Sequence, residues 1–147
     1  MNFHLSKKAF YLLSVTWGLL LTLAGAIVIG CIKLYGKFTH QEFKLKKHGY
    51  CYYLAIGENW GGLEFGMFFL TDKRESISIK WHEHGHGIQN CYFGPFMPFV
   101  ITIPSAIRYH WRNHQQSKGI TLTNNYDDIW FEKSATELGR KYRRIIK

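Results

Sequence analysis

The chain has 147 residues and a formal net charge of +9, from 19 Lys and Arg against 10 Asp and Glu. This length suits one domain with an attachment segment. Three cysteines without CxxC spacing exclude a full disulfide framework, so free thiols are expected, with a Cys51–Cys91 disulfide as the alternative. Nucleic acid is not expected as a partner, because the chain has no nucleic-acid-binding motif and many basic residues lie near an apolar segment, where anionic lipid could meet them.

The first predicted element is a membrane anchor over residues 1–34. Residues 9–32 form an uncharged run of 24 residues. As a helix, this run would rise about 36 Å, which is enough to cross a hydrocarbon core of about 30 Å. A cleaved signal peptide is the alternative, but its apolar region should end earlier than this run does. Because more lysines follow the run than precede it, the positive-inside rule predicts that the rest of the chain is cytoplasmic.

A basic linker is predicted over residues 35–49, followed by one domain over residues 50–147. Residues 50–56 and 63–70 are aromatic and apolar, as strands are, and the glycine-rich stretch between them indicates a turn. The two strands are therefore expected to pair as a small β-hairpin.

The most informative motif follows, and it reads His-Glu-His-Gly-His over residues 82–86. It contains the zinc-peptidase pattern His-Glu-x-x-His, and a helix is predicted within residues 76–92. On that helix, His82 and His86 lie one turn apart on one face, where both can bind one tetrahedral zinc ion. Glu83 then lies beside the open coordination position and can take a proton from water as the general base.

Two alternatives compete with this interpretation of the motif. Gly85 and Gly87 each weaken a helix by about 1 kcal/mol relative to Ala, so the motif could be a His-rich surface turn. On a strand, the three histidines would share one face and could still bind a metal, but Glu83 would lie on the other side.

Residues 91–107 form a second uncharged stretch, which Pro95, Pro98 and Pro104 interrupt. Three prolines argue against a regular spanning helix, and 17 residues are few for a second crossing. A re-entrant or interfacial segment, or a buried wall of the active site, is expected instead. His110 follows among aromatic and basic residues typical of a membrane interface, and it could alternatively stabilise an oxyanion.

A last helix is predicted over residues 126–146, ending in basic residues that suit a helix C-terminus. In the glutamate-zincin pattern, such a helix supplies the third zinc ligand. Glu132 and Glu137 are the candidates, and they lie about 140° apart around a helix, so only one can face the metal. Glu132 is preferred, because the small Ser134 and Ala135 beside it allow close approach to the histidine helix.

Other polar residues near these elements have weaker expected roles. Asp127 or Asp128 could orient a ligand histidine through its second ring nitrogen, although N-capping of the last helix is the stronger expectation. His84 lies about 160° around a helix from each of the two ligand histidines, so it is not expected to bind the metal.

Three sequence blocks together carry a resemblance to a known family. They are His-Glu-x-Gly-His-x-x-Gln at residues 82–89, a Gly-Pro and a Pro-Ser pair in the apolar segment, and Trp-x-Glu-x-x-Ala-x-x-Leu-Gly at residues 130–139. With these blocks, roughly residues 61–139 resemble a group of small bacterial membrane-associated proteins of zinc-metallopeptidase type.

This resemblance implies roles for particular residues. It implies His82, His86 and Glu132 as zinc ligands and Glu83 as the base. Gln89 belongs to the motif as well, and one turn after His86 it is expected to line the cleft or hydrogen-bond a ligand. The implied location is a bacterial cell membrane.

The sequence therefore predicts an α+β fold, with an N-terminal transmembrane helix before a minimal domain of glutamate-zincin type. The predicted function is a membrane-anchored, zinc-dependent peptidase that acts on peptides or membrane-proximal proteins, alone or as an oligomer. Two other classes stay open: a non-catalytic metal-binding or structural membrane protein, and a peripheral membrane or partner-binding module without metal.

Overall fold

The computed structural model describes residues 4–146, and within them the fold is α+β, which confirms the predicted class. The helices are α1 (Lys7–Val15), α2 (Leu19–Thr39), α3 (Ile77–Phe93), α4 (Ile103–Ser117) and α5 (Trp130–Ile145). The strands are β1 (Lys46–His48), β2 (Cys51–Ala55), β3 (Gly62–Phe65) and β4 (Phe68–Thr71). A 3-10 turn (Gly94–Phe96) and a π-helical turn (Pro98–Thr102) lead into α4, and a 3-10 turn (Tyr126–Asp128) precedes α5.

The N-terminal apolar run forms two helices. The prediction of one continuous helix over residues 9–32 is wrong, because residues 16–18 form a turn between α1 and α2. Asn90 of α3 holds this turn by donating a hydrogen bond from Nδ2 to the carbonyl oxygen of Gly18 over 3.1 Å. The short helix α1 is also part of the core, where Phe10 is fully buried.

The second helix, α2, packs along the sheet. Ile29 is buried against Leu54 and Leu70 of the sheet, and Leu21 is buried against Met97. Among residues 4–146, α2 is the one helix that is long and apolar enough to cross a membrane. Its outer side exposes large apolar residues, which are Leu19, Leu20, Leu23, Ile27, Leu34, Tyr35 and Phe38.

The predicted linker is structured at both ends. Residues 35–39 belong to α2, and Lys46–His48 form the edge strand β1. Lys46 also donates from Nζ to Glu75 over 2.8 Å. Both ends of the predicted linker therefore contribute to regular elements, one to α2 and one to the sheet.

The four strands form one sheet in the order β1-β2-β4-β3. β1 and β2 pair antiparallel around Gly49 (φ 59°), β3 and β4 pair antiparallel around Gly66 (φ 67°), and β2 and β4 run parallel. The predicted hairpin between residues 50–56 and 63–70 is wrong, because the second run contains its own turn. Glycine allows that turn, since residues with side chains rarely adopt a positive φ.

Helix α3 confirms the helix predicted for the His-Glu-His-Gly-His motif, and α5 confirms the last predicted helix. The two helices pack in close contact. A Cβ atom at Gly85 would overlap the carbonyl oxygen of Ala135, and one at Gly139 would overlap the carbonyl oxygen of Trp81. Each glycine weakens its own helix by about 1 kcal/mol relative to Ala, but it lets the two backbones approach. This contact brings the motif against the first turns of α5.

The proline-rich stretch is helical with irregular turns. Met97 and Ile101 are buried against Leu21 of α2 and Phe131 of α5. The stretch is not one of the helices long enough to span a membrane among residues 4–146. One side of the stretch therefore packs against the interior, and the other side is exposed at the surface.

The cysteines are free thiols, as predicted, and the alternative Cys51–Cys91 disulfide is not formed. Cys51 and Cys91 are buried, whereas Cys31 is exposed on α2. Burial raises the pKa of the Cys51 thiol well above its ordinary value, so this thiol is protonated and unreactive at neutral pH.

Candidate metal centre

His82, His86 and Glu132 each bring one side-chain atom to a common point between α3 and α5. His82 Nε2 lies 3.1 Å from His86 Nε2. Oε2 of Glu132 lies 3.0 Å from the first nitrogen and 3.3 Å from the second. The four-residue spacing on α3 places the two imidazoles side by side, and the first turn of α5 supplies the carboxylate. This group could hold a metal ion.

The ring of His82 is oriented through its other nitrogen. Thr136 Oγ1 donates to Asp127 Oδ2 over 2.8 Å, which leaves that hydroxyl to accept a hydrogen bond from His82 Nδ1, also over 2.8 Å. The proton of a neutral His82 therefore sits on Nδ1, and the Nε2 lone pair points to the common point. Such partners fix the tautomer and direction of a metal-binding histidine.

The ring of His86 is oriented in the same way by Gln89. Gln89 Nε2 donates to the carbonyl oxygen of Phe131 over 2.8 Å, which turns its amide oxygen toward His86. That oxygen lies 2.7 Å from His86 Nδ1 and accepts its proton. Gln89 thus hydrogen-bonds a candidate ligand, in the position that the motif predicts.

Glu132 is fully buried, and a chain of hydroxyl groups holds its second oxygen. Tyr126 OH lies 3.1 Å from Ser105 Oγ, and Ser105 donates to Glu132 Oε1. Burial alone would raise the pKa of Glu132, but His82 and His86, which donate to it from Nε2 when they are protonated, and the hydroxyl of Ser105 hold that pKa well below its ordinary value. The carboxylate is therefore charged at neutral pH and available as a ligand.

The pKa of His82 responds to the same carboxylate. Burial alone would lower the pKa of His82, but the hydrogen bond to Glu132 and the charges of Glu83 and Glu132 raise it above the ordinary value. A positive charge is thus favoured at this point, whether a proton or a metal ion carries it.

The three converging atoms fit a tetrahedral metal ion. In the neutral tautomers set by Thr136 and Gln89, both Nε2 atoms are acceptors, and acceptors this close to a carboxylate repel one another unless a cation lies among them. Zinc bonds of about 2.0–2.1 Å require donor atoms about 3.3 Å apart in a tetrahedron. The observed separations of 3.0–3.3 Å are close to this value. Imidazole and carboxylate ligands suit zinc and other first-row divalent ions alike.

Glu83 lies beside this group on α3 and is 6 % exposed. Its carboxylate packs directly against Gly62 of β3, where a Cβ atom would meet Glu83 Oε1. Burial raises the pKa of Glu83, while the nearby His82 and His86 act in the opposite direction. The carboxyl group therefore holds a proton more readily than a solvent-exposed glutamate does.

A second buried carboxyl group, Glu64, lies on β3 near Glu83. Burial raises the pKa of Glu64 well above its ordinary value. The backbone N–H of Gly66 donates to Glu64 Oε1 and lowers the pKa, and the charge of Glu83 raises it again. Two buried carboxyl groups thus line the space beside the candidate metal ligands.

A cavity of about 440 Å³ connects these groups. Its lining includes the three candidate ligands, both buried carboxyl groups and residues from β3, the π-helical turn, α4 and α5. Arg140 and Arg143 line it further along α5, one and two turns beyond Thr136. A substrate in this cavity would meet carboxylates near the ligands and guanidinium groups farther along the helix.

The structure places other predicted residues away from the centre. Asp128 accepts from the backbone N–H of Asn125 over 2.7 Å, so it caps the 3-10 turn before α5, and Asp127 is the aspartate that reaches a ligand histidine through Thr136. His110 is exposed on α4 and does not line the cavity. Glu137 is exposed as well.

Four further residues belong to the site without being part of a recognised metal-binding motif. Thr136 lies one turn after Glu132, and that spacing is a usable signal for a residue on the same helix face. Ser105 belongs to the Pro-Ser pair of the apolar segment. Tyr126 and Glu64 have no local signal, because only the tertiary fold brings them to the cavity.

Comparison with protein-family models, curated proteins and solved structures yields no match to this chain.

Proposed function

We propose that the protein is a zinc-dependent hydrolase of minimal glutamate-zincin type that cleaves peptide bonds. The observation that carries this proposal is the convergence of His82, His86 and Glu132 in a cavity that also contains Glu83. Zinc, when bound, supplies a Lewis acid that activates water and polarises a carbonyl group. Three protein ligands would leave one tetrahedral position free, as in catalytic rather than structural zinc sites.

Glu83 is the general base in this proposal. It follows His82 directly in the chain and lines the same cavity. Its raised pKa suits a group that takes a proton from water and then passes it to the leaving amine. The surrounding burial keeps bulk water away from that proton.

The free edge of β3 offers a binding place for an extended substrate. β3 is the last strand in the sheet order, so one side of its backbone has no strand partner among residues 4–146. Gly62 and Leu63 of this strand line the cavity. A peptide that added to this edge would pass Glu83, because Gly62 packs against the Glu83 carboxylate. We therefore propose a peptide, or an extended segment of a membrane-proximal protein, as the substrate.

We also propose that α2 holds the protein at a bacterial cell membrane, with the metal centre on the cytoplasmic side. The length and hydropathy of α2 and its exposed apolar side support the attachment. Lysines at positions 33, 37, 44, 46 and 47, after the apolar run, support the orientation.

The experiment that tests the hydrolase compares two Glu→Gln variants of the zinc-loaded, full-length protein in detergent. Glu83→Gln removes the base and keeps the shape, and we expect it to lower cleavage in a fluorogenic peptide library by about 100-fold or more. Glu137→Gln, an exposed position on α5, is the matched control and should cleave as the parent does. Equal cleavage by the Glu83→Gln variant would contradict the proposal.

A structural metal site is the second candidate. The ligands come from α3 and α5, so a bound metal would cross-link two helices and stabilise their contact. Zinc-dependent thermal stabilisation without cleavage of any library peptide would favour this function over hydrolysis.

A further inference from the structure

The proline-rich segment presents a large apolar face to its surroundings, which we call the insertion face. Its residues are Phe96, Phe99, Val100, Ile103 and Ile107. Phe99 is 67 % exposed and Ile107 is 64 % exposed. Contiguous exposed apolar patches mark interaction sites in proteins. Residues 91–107 contain no charged side chain, so the patch has no group that favours contact with water.

The insertion face continues into the exposed side of α2. The rings of Trp17, in the turn before α2, and Phe96 meet edge to face, with centroids 6.3 Å apart. Beneath them, Leu21 of α2 is buried against Met97 and Ile101. The two exposed apolar surfaces therefore lie side by side on packed elements and must meet the same environment.

We propose that the insertion face enters the lipid bilayer beside α2 without crossing it. A spanning helix needs about 20 apolar residues, whereas Arg108 follows Ile107 directly. Lipid is the occupant because the face is continuous with α2, whose hydropathy reaches that of membrane-spanning helices. Trp17 and Trp111 are exposed at its two ends, as aromatic side chains are at bilayer interfaces.

The same helical segment separates this lipid contact from the metal centre. Thr102 and Ser105 line the cavity from the side opposite the insertion face. A helix with its side chains is about 10 Å across, so the cavity lies about one helix diameter from the lipid. The contact brings polypeptide segments at the membrane surface close to the cavity. This inference rests on the proposed membrane attachment of α2 but not on hydrolysis, so it and the proposed hydrolysis can fail separately.

The test uses the full-length protein in phosphatidylcholine–phosphatidylglycerol vesicles, with a single fluorophore at a chosen cysteine. Cys31, the exposed thiol, is replaced by serine, and the two buried cysteines stay. Phe99→Cys and Ile107→Cys carry an environment-sensitive fluorophore on the insertion face. Gln116→Cys, exposed near the far end of α4, carries it as the matched control. Vesicles with and without nitroxide-labelled acyl chains then report lipid contact.

We expect blue-shifted emission and several-fold stronger lipid quenching at positions 99 and 107 than at position 116. A nitroxide near the head group should quench more than one near the chain end, because the segment does not cross. Water-like emission without quenching at all three positions would overturn the proposal. Blue-shifted emission without lipid quenching would also overturn it, because protein, such as a second copy of the chain, would then cover the face. Either exposed position suffices if one variant misfolds.

Discussion

The two sides of α3 carry the same residue type in opposite chemical settings. On one side, His82 and His86 donate from Nδ1 to Thr136 and Gln89 and direct Nε2 toward a carboxylate. On the other side, His84 is fully buried, and neither ring nitrogen has a hydrogen-bond partner within residues 4–146. Aromatic rings surround it instead, and they belong to Phe10, Tyr50, Trp81 and Tyr142.

The position of a histidine around α3 therefore decides whether its ring faces the candidate metal centre or the apolar core. His84 is two residues from each candidate ligand, so the helical rotation directs it away from them into the apolar core. Burial, with a smaller contribution from His48, lowers the pKa of His84 to about 3. His84 is therefore neutral at physiological pH, and three histidines in five residues do not form one cluster.

The largest effect is expected from a substitution that forces α3 away from α5, next to the side of α3 that carries His82 and His86. Gly85→Ala would place a Cβ atom against the carbonyl oxygen of Ala135, and overpacking at such a contact should destabilise the protein by about 3 kcal/mol. Gly30→Ala is the control, because a Cβ atom there meets nothing within 4 Å among the described residues. Thermal unfolding in detergent measures both variants, and equal stability would contradict the close helix contact.

A smaller effect is expected from removing the hydroxyl group that orients the ring of His82. Thr136→Val keeps the shape of the side chain but removes the hydroxyl between His82 and Asp127. Loss of such a partner typically weakens metal affinity by about 10–100-fold. Thr136→Ser keeps the hydroxyl and should bind zinc nearly as the parent does. Competition with a chromogenic chelator measures the affinities, and an unchanged Thr136→Val variant would argue against this orienting role.

On the side of α3 that faces the apolar core, a substitution at His84 should raise the stability of the protein rather than lower it. His84→Leu removes two buried nitrogens without partners, and we expect the free energy of unfolding to rise by about 1 kcal/mol, because unpaired buried polar groups are costly. Zinc binding should not change. Urea unfolding of both proteins in the same mild detergent gives the comparison, and a large loss of stability would indicate that His84 has a partner.

The smallest effect concerns pH and Glu64 at the cavity. Burial raises the pKa of Glu64 above its unfolded value, so the folded state binds this proton more tightly. The stability that results is complete below the unfolded pKa and is lost as the pH rises through the folded pKa. Glu64→Gln lacks this loss of stability, so the variant should be more stable than the parent at pH 8. The two should be nearly equal at pH 4.

Melting temperatures of the parent and the Glu64→Gln variant across this pH range check the sign. A difference that shrinks as the pH rises would mean that Glu64 is stabilised in its charged form. Asp128 before α5 offers a control position, because its side chain accepts from a backbone N–H and does not line the cavity.

Local periodicity predicted the helices that carry the candidate ligands. The spacing of His82 and His86, and the small residues beside Glu132, are properties of single helices, and they anticipate the observed juxtaposition. The break between α1 and α2 was not predictable in this way, because Asn90 holds Gly18 from 72 residues away in the chain. Hydropathy alone could not show that contact.

The strand pairing failed for a related reason. Residues 63–70 have the pattern of one apolar strand, but Gly66 turns the chain within it. The parallel pairing of β2 with β4 depends on the tertiary fold, which the local sequence pattern does not show. The hydroxyl chain from Tyr126 through Ser105 to Glu132 likewise joins α4, the turn before α5, and α5. Such residues are separated in sequence, and no spacing rule links them.

Zinc content of the purified full-length protein, beside His84→Leu and His86→Leu, tests the central claim most directly. The two substitutions are identical in chemistry and lie on opposite sides of α3. We expect about one zinc ion per chain in the parent and in His84→Leu, and almost none in His86→Leu. A folded parent that binds no zinc, or a His86→Leu variant that retains it fully, would contradict the assignment of the metal centre.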